Sequence, residues 1–280
     1  MTRYVLTLKS PDRPGIVNRV TGALLEIEGN IVESAQYGEP DGSIFALRTV
    51  FDSPVDFARV SSGLEPVAID LSANITVRPI DLPKRALVMV SKYDHCLLDL
   101  LFRQGNGELA IEIPLVISNH TDCRSLVERY EKPFEHVPVT PDTKSEAETV
   151  LLQRVSELEI DFVVLARYMQ VLSADVCSAL SGRIINIHHS FLPGFKGARP
   201  YHQAHSRGVK LIGATAHYVT DDLDEGPIIE QDVARVSHTD SAEDMARIGR
   251  DVERVVLSRA VRLHAEDRVV LFGTKTAVFG

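Results

Sequence analysis

The sequence predicts an α/β protein of two domains, a small βαββαβ unit followed by a larger domain on a mostly parallel sheet. Three observations carry this. The chain has 280 residues, above the ~100–200 of one common domain. Over residues 1–77, short apolar segments follow one another as strand, helix, strand, strand, helix, strand. Past a proline-bearing stretch at 78–84, continuous apolar runs alternate with helical stretches, the pattern of parallel strands covered on both faces.

Residues 3–9 alternate, with Tyr4, Leu6 and Leu8 on one face and Val5 and Thr7 on the other, as a strand does. Pro11, Pro14 and Gly15 break it. Pro14 has no N–H to lose at a helix start, and Asp12 can accept from the free amides there. Val17, Val20, Leu24 and Ile27 recur at helical spacing over 16–28, and Gly29-Asn30 ends that helix. Residues 31–37 and 44–51 read as strands joined through the turn Glu39-Pro40-Asp41-Gly42. Residues 54–64 are predicted helical. Residues 68–77 are predicted as a strand, from the alternation of Ile69, Leu71, Ala73, Ile75 and Val77.

Pro79 and Pro83 disfavour regular pairing, which sets the expected domains at 1–82 and 83–280. In the second domain, 86–90, 109–117, 162–166 and 184–187 read as buried strands, and 96–103, 123–131, 144–158 and 173–180 as helices. Residues 210–219 and 228–236 form a β pair after the parallel core. The closing helix, 241–264, starts with Ser241 and Asp244 in capping-box positions and carries Met245, Ile248, Val252, Val255, Val256 and Leu263 as its stripe. Gly105-Asn106-Gly107 lacks the features of a nucleotide loop and reads as a helix-ending turn.

Hydrophobic residues make up 44% of the chain and charged residues 25%, which excludes wholesale disorder. A net charge of −9 lacks the basic footprint of a general nucleic-acid binder. No apolar run approaches the ~20 residues of a membrane span, and the N-terminal stretch lacks the features of a secretory signal. Three scattered cysteines, Cys96, Cys123 and Cys177, form neither a disulfide framework nor a zinc pattern, so a reducing compartment, the cytoplasm, is expected.

Two clusters can carry chemistry. On a strand, Asn186 and His188 share a face while His189 points away. Two adjacent strand histidines do not converge on one ion, so no metal is assigned to them. Asn186 and His188 can converge on one substrate atom at the end of a parallel strand, where α/β folds place ligands; the other reading is a hydrogen-bonded strand end. The second cluster, His217 to Pro227, has Asp221, Asp222, Asp224 and Glu225 within five residues. It reads as a solvated turn, as a cation loop without EF-hand spacing, or as a turn that sends one carboxylate inward to orient His188. Between the clusters, the Gly- and Pro-framed segment 191–200 reads as a substrate wall or lid, or as a long connection.

Asn186-Ile187-His188, Ser190-Phe191-Leu192-Pro193 and the run from His217 to Pro227 resemble the 10-formyltetrahydrofolate formyltransferase fold family, a Rossmann-like fold, over roughly residues 85–280. Gly197-Ala198-Arg199-Pro200-Tyr201-His202-Gln203-Ala204 and Gly213-Ala214-Thr215-Ala216-His217-Tyr218 are most similar to its hydrolytic branch. The front unit, marked by Asp12-Arg13-Pro14-Gly15-Ile16-Val17, resembles an ACT domain, a ferredoxin-like regulatory module. The resemblance implies a catalytic triad at Asn186, His188 and Asp224. It implies a folate pocket at Arg167, Tyr168, Met169, Gln170, Val171 and Leu172, and at His217, Thr220, Asp221, Asp222 and Leu223. Tyr168, Met169 and Leu172 can equally be read as core. Gln170 stands where the family often has a basic residue, which leaves Arg167 for the folate glutamate tail.

Members that use glycinamide ribonucleotide cradle its phosphate on a Gly-Ser-rich turn. Here the corresponding residues are Ser91-Lys92-Tyr93-Asp94-His95-Cys96, without glycine and with a carboxylate, so backbone amides cannot close on a phosphate. The alternative is that Lys92 alone serves it. With that site blocked, water is the acceptor. The implied reaction is hydrolysis of 10-formyltetrahydrofolate to tetrahydrofolate and formate, with no metal or bound cofactor because the folate is substrate. The alternatives are formyl transfer to an amine and a non-catalytic folate or amino-acid sensor. The ACT resemblance further implies an amino-acid effector at Asp12, Gly15, Ile16 and Asn30. It also implies a homo-oligomer paired through sheet edges.

Overall fold

The computed structural model describes residues 1–192, 194 and 200–280. By internal contacts the chain forms two compact units, one of Met1–Pro83, Glu266–Phe272 and Thr276–Gly280, the other of Lys84–Ala265 and Gly273–Lys275. The expected span of the second domain, 83–280, is thereby corrected at its end: most of the last fifteen residues pack with the first unit.

The first unit runs β1 (Thr2–Pro11), α1 (Ile16–Glu26), β2 (Asn30–Gly38), β3 (Ile44–Ser53), α2 (Phe57–Leu71) and β4 (Asn74–Pro79). Its strands form an antiparallel sheet in the order β2-β3-β1-β4. Tyr4, Leu6 and Leu8 of β1 bury against Val20 and Leu24 of α1 and Val60, Leu64, Val67 and Leu71 of α2. The helix α2 is longer than expected and passes through Pro66. Its spacing of 60, 64, 67 and 71 outweighs the strand-like alternation that begins at Ile69, which is exposed on the helix surface. The last strand consequently starts at Asn74.

The second unit runs β5 (Lys84–Val90), α3 (His95–Gly105), β6 (Ile111–Ser118), α4 (Arg124–Arg129), β7 (Phe134–His136), α5 (Lys144–Glu157), β8 (Phe162–Leu165), α6 (Ala174–Ala179), β9 (Ile184–His188), α7 (Pro200–Ser206), β10 (Leu211–Tyr218), β11 (Ile228–Arg235) and α8 (Ala242–Ala265). Its seven-stranded sheet has the order β11-β10-β9-β8-β5-β6-β7. β5 to β9 are parallel, and β10 and β11 close one edge antiparallel. The chain steps outward from β5 to β7, then returns to place β8 on the other side of β5. The crevice at the C-terminal ends of β5, β8 and β9 is therefore a topological switch point, where open α/β sheets bind ligands. The sequence did not suggest β7 or α7; at three and seven residues they are too short for a periodic signal.

Two short tail strands, β12 (Val269–Phe272) and β13 (Lys275–Val278), form a sheet of their own. Val270, Phe272 and Phe279 cover Ala46 of β3. This explains why the burial of β3 is almost continuous rather than alternating. Arg48, fully buried, donates to Glu33 Oε1 at 2.7 Å and to the Glu266 carbonyl.

Candidate active site

The residues at the switch point are placed by hydrogen bonds that bind one strand end to the next. The Met169 amide donates to Ser91 Oγ at 3.0 Å, and Ser91 Oγ donates to Asn119 Oδ1 at 2.7 Å. Ser91 N also donates to the Arg167 carbonyl. The bonds to Met169 and Arg167 hold the segment after β8 against the end of β5, and the bond to Asn119 ties that end to the end of β6. Beyond β9, the Leu192 amide donates to Thr215 Oγ1, which donates to the Ser190 carbonyl.

Asn186 on β9 lies opposite His217 on β10, and His188 opposite Thr215. Directly paired across the two strands, the Asn186 and His217 side chains lie on the same face of the sheet. His217 Nδ1 donates to the Tyr218 carbonyl at 2.9 Å, and burial holds this imidazole below its ordinary pKa. The ring is therefore neutral with a single N–H, and its Nε2 accepts from Asn186 Nδ2 at 3.2 Å. This fixes the orientation of the Asn186 amide.

Within the acidic turn, Asp221, Asp222 and Glu225 are exposed, while Asp224 turns inward. Both the solvated-turn and the inward-carboxylate readings thus hold, for different residues. Asp224 sits at φ +57°, a strained conformation held by its surroundings. His188 Nδ1 donates to Asp224 Oδ1 at 3.2 Å. Burial pushes the Asp224 carboxyl up, but the hydrogen bond and charge of His188, with His217 and His189, hold it below the usual range. Among the described residues, His188 Nε2 is buried and without a hydrogen-bond partner.

These side chains line a cavity of about 540 Å³. Every expected residue of the second unit borders it: Asn186, His188 and Asp224; Arg167 to Leu172; His217 and Thr220 to Leu223. Tyr168 and Leu172 pack into the core with Val219 nearby, so they are core and cavity wall at once. The substrate wall read at 191–200 falls mostly on residues 193 and 195–199, outside the described residues.

Three expectations are corrected. His189 was expected to point away from His188, but β9 ends at His188, so the two-residue alternation stops there. His189 stacks on His188 with ring centroids 5.1 Å apart and borders the cavity. Arg167 was expected to hold a folate tail; it is 9% exposed, with its Nε 3.4 Å from Glu253 Oε2 and its guanidinium over Tyr93. In the first unit, Asn30 was expected beside Asp12 and Gly15, but it opens β2 and pairs with Asp52 at one end of β3. The Asp12 amide bonds Ser43, just beyond the other end of β3, about 30 Å away along a strand. Of the remaining positions there, Ile16 is buried in the core, while Asp12 and Gly15 (φ +94°) are exposed.

The sequence reading missed a polar group on the same cavity. Glu253 of α8, 1% exposed, accepts from Tyr201 Oη at 2.6 Å and contacts His95 Nε2 at 2.7 Å. Burial raises the Glu253 pKa, but the His95 hydrogen bond and the Arg167 charge outweigh it and keep the carboxylate ionised. Gly249 gives Tyr201 its room: a Cβ there would lie 2.0 Å from Tyr201 Oη. The signal was present as Glu253, an acid adjacent to the apolar stripe of the closing helix. His95, Cys96 and Glu253 bring potential metal-ligand atoms within 4.8 Å of one another. Burial pushes the Cys96 thiol well up, away from thiolate, and the Arg167 cation already pairs with Glu253. The group is better suited to hydrogen bonding than to metal binding.

A strand-end Asn and His with an inward Asp, at the switch point of this sheet, form a set that can polarise a carbonyl and hold the charge that develops on it. A family model described as formyl transferase matches residues 84–261. The chain is 50% identical over 279 residues to a formyltetrahydrofolate deformylase of Corynebacterium sp. (strain P-1), covering 99% of this chain and 98% of that protein. The solved structure of a formyltetrahydrofolate deformylase from Pseudomonas syringae pv. tomato is 46% identical, with a TM-score of 0.97, covering 100% of this chain and 95% of that one. A glycinamide ribonucleotide transformylase from Symbiobacterium toebii is 30% identical, with a TM-score of 0.68, over 74% of this chain and 98% of its own. The chain belongs to the formyl transferase family and, within it, to the formyltetrahydrofolate deformylases.

Proposed function

We propose that the chain hydrolyses 10-formyltetrahydrofolate to tetrahydrofolate and formate, with Asn186, His188 and Asp224 as the reacting side chains. The observation that carries this is the His188–Asp224 pair. Asp224 engages Nδ1 and leaves Nε2 buried and without a partner among the described residues, in reach of a reacting atom on the cavity. The folate lies along the walls formed by Tyr168 to Leu172 and Val219 to Asp224. Asn186, oriented by His217, donates its second amide hydrogen to the formyl oxygen. Protonated His188 donates from Nε2 and stabilises the developing oxyanion. Asp224 orients a water and takes its proton, directly or through a second water. The water oxygen bonds to the formyl carbon; the carbon–N10 bond then breaks and N10 receives a proton from His188. Formate and tetrahydrofolate leave, and the chemistry is carried by these side chains and water alone.

Purified protein incubated with 10-formyltetrahydrofolate alone tests this reading. One formate per tetrahydrofolate is expected without any amine present. Consumption only when an amine is added would make the chain a transferase, and folate binding without turnover would make it a sensor.

The same reading extends to the first unit. We infer a small amino-acid effector at Asp12 and the exposed Gly15 backbone, where the left-handed turn leaves open space around the Cα. β2 and β4 are the edges of their sheet and suit pairing with a second copy. Among the described residues no helix is long and apolar enough to cross a membrane, and the three cysteines are free and buried. The free cysteines suit a reducing compartment, the cytoplasm.

A further inference from the structure

The cavity has two chemically distinct parts. One is bounded by Tyr168, Leu172 and Val219, which belong to one apolar cluster. The other is a knot of four side chains from four separate segments: Arg167 after β8, Glu253 on α8, His95 at the start of α3 and Tyr201 on α7. The other three converge on the Glu253 carboxylate, with Arg167 at 3.4 Å, His95 at 2.7 Å and Tyr201 at 2.6 Å. His189 connects the knot to the reacting residues: its ring stacks on His188 at 5.1 Å and lies 6.3 Å from Tyr201. Tyr93 stacks over the Arg167 guanidinium from outside, at 5.5 Å.

Resting on the hydrolytic reading above, we propose that this knot determines the acceptor. Arg167, clamped by Glu253 and covered by Tyr93, fills the space beside the formyl carbon that an amine acceptor would occupy, and admits only water. Two features support it. The guanidinium is held in place without being saturated: Nε and Nη1 are buried and make no hydrogen bond among the described residues. Their donor capacity is unspent, while their burial leaves no room around them for a larger nucleophile. Arg167 also adopts φ +64°, a conformation that costs any residue but glycine or asparagine. A bulky cation kept at a glycine-favouring position, buried in the substrate cavity, is retained for its side chain.

The backbone conformation also supplies the test. Arg167→Gly relieves the strained φ while emptying the space, so the fold is expected to survive. The probe is glycinamide, a primary amine, supplied with 10-formyltetrahydrofolate. If it enters, its nitrogen bonds the formyl carbon, the carbon–N10 bond breaks, N10 takes up a proton and the amine loses one, giving N-formylglycinamide instead of formate. The readout is the ratio of N-formylglycinamide to formate within the same turnover, which a loss of stability or of overall rate does not move. The parent protein is expected to release formate alone. In Arg167→Gly the ratio rises roughly tenfold or more above the detection floor, the scale on which pockets discriminate by size.

Glu253→Gln, which keeps the shape but releases the clamp, is expected to raise the ratio less. It serves as the test if Arg167→Gly fails to fold by circular dichroism. Formate as sole product from a turning-over Arg167→Gly, or from Glu253→Gln in its place, overturns the proposal. A parent protein that releases no formate overturns the hydrolytic reading instead.

Discussion

Replacing Asp224 by Asn removes one charge and little else. Position 224 sits at φ +57°, which asparagine enters as readily as aspartate, so the turn keeps its shape. The side chain is 11% exposed, and its Oδ1 lies 3.2 Å from His188 Nδ1. At an effective dielectric of about 20, a full charge pair at that distance is worth about 5 kcal/mol. Only the part that grows as His188 and the formyl oxygen become charged lowers the barrier. A kcat loss of about 10²–10⁴ is the usual yield of a positioned acid–base group, or about 3–5 kcal/mol, which fits within that ceiling. The assay is initial-rate formate release, with tetrahydrofolate affinity measured by calorimetry and the fold by thermal melting. We expect kcat to collapse while affinity and melting temperature stay near the parent's. A variant with near-parental kcat, or one whose loss lies in folate affinity, would refute the placement of Asp224 at the reacting carbon.

Other expectations follow from the same structure. Burial and the nearby Arg167 charge lower the His189 pKa to about 4, against about 6.5 in an unfolded chain; the unfolded state then binds more protons between these values, so stability is full above about 6.5 and is lost as pH falls toward 4. Melting temperature measured across that window should drop, and His189→Gln should flatten the slope. Gly226→Ala places a Cβ 1.7 Å from the Tyr218 carbonyl that accepts from His217, and should cost about 3 kcal/mol or more in denaturant melts. Gly22→Ala, in open space on α1, should instead stabilise by about 0.5–1 kcal/mol. Glycine or methionine should shift the melting temperature of the intact protein, and Asp12→Ala should abolish the shift; no response to any amino acid would leave the first unit as an assembly element.

The legible parts of this protein were those in which chemistry follows chain order. The change from alternating to continuous apolar runs separated a small antiparallel sheet from a parallel one, because strands buried on two faces cannot carry polar residues at every second position. Asn186 and His188 were visible as a pair because they share one strand face, and the acidic run Asp221 to Glu225 because it marked a turn beside a strand end; the family resemblance singled out Asp224 within it. Local pattern failed where a competing element shared it. Ile69 and Leu71 fit a strand as well as a helix, and only packing against the first sheet selects the helix. It failed again where a regular element stops, as at His189.

Tertiary structure alone decided what meets across the chain. Glu253 lies 158 positions from His95 and reads as an acid beside a helix stripe until four elements fold around it. The last residues return to cover β3, an outcome no local period encodes. Asn30 and Asp12 lie at opposite ends of β3 because sheet register, not chain distance, sets their separation. Periodicity reports which face of an element is buried, and the energy of burying a charge depends on which partners the fold delivers to it.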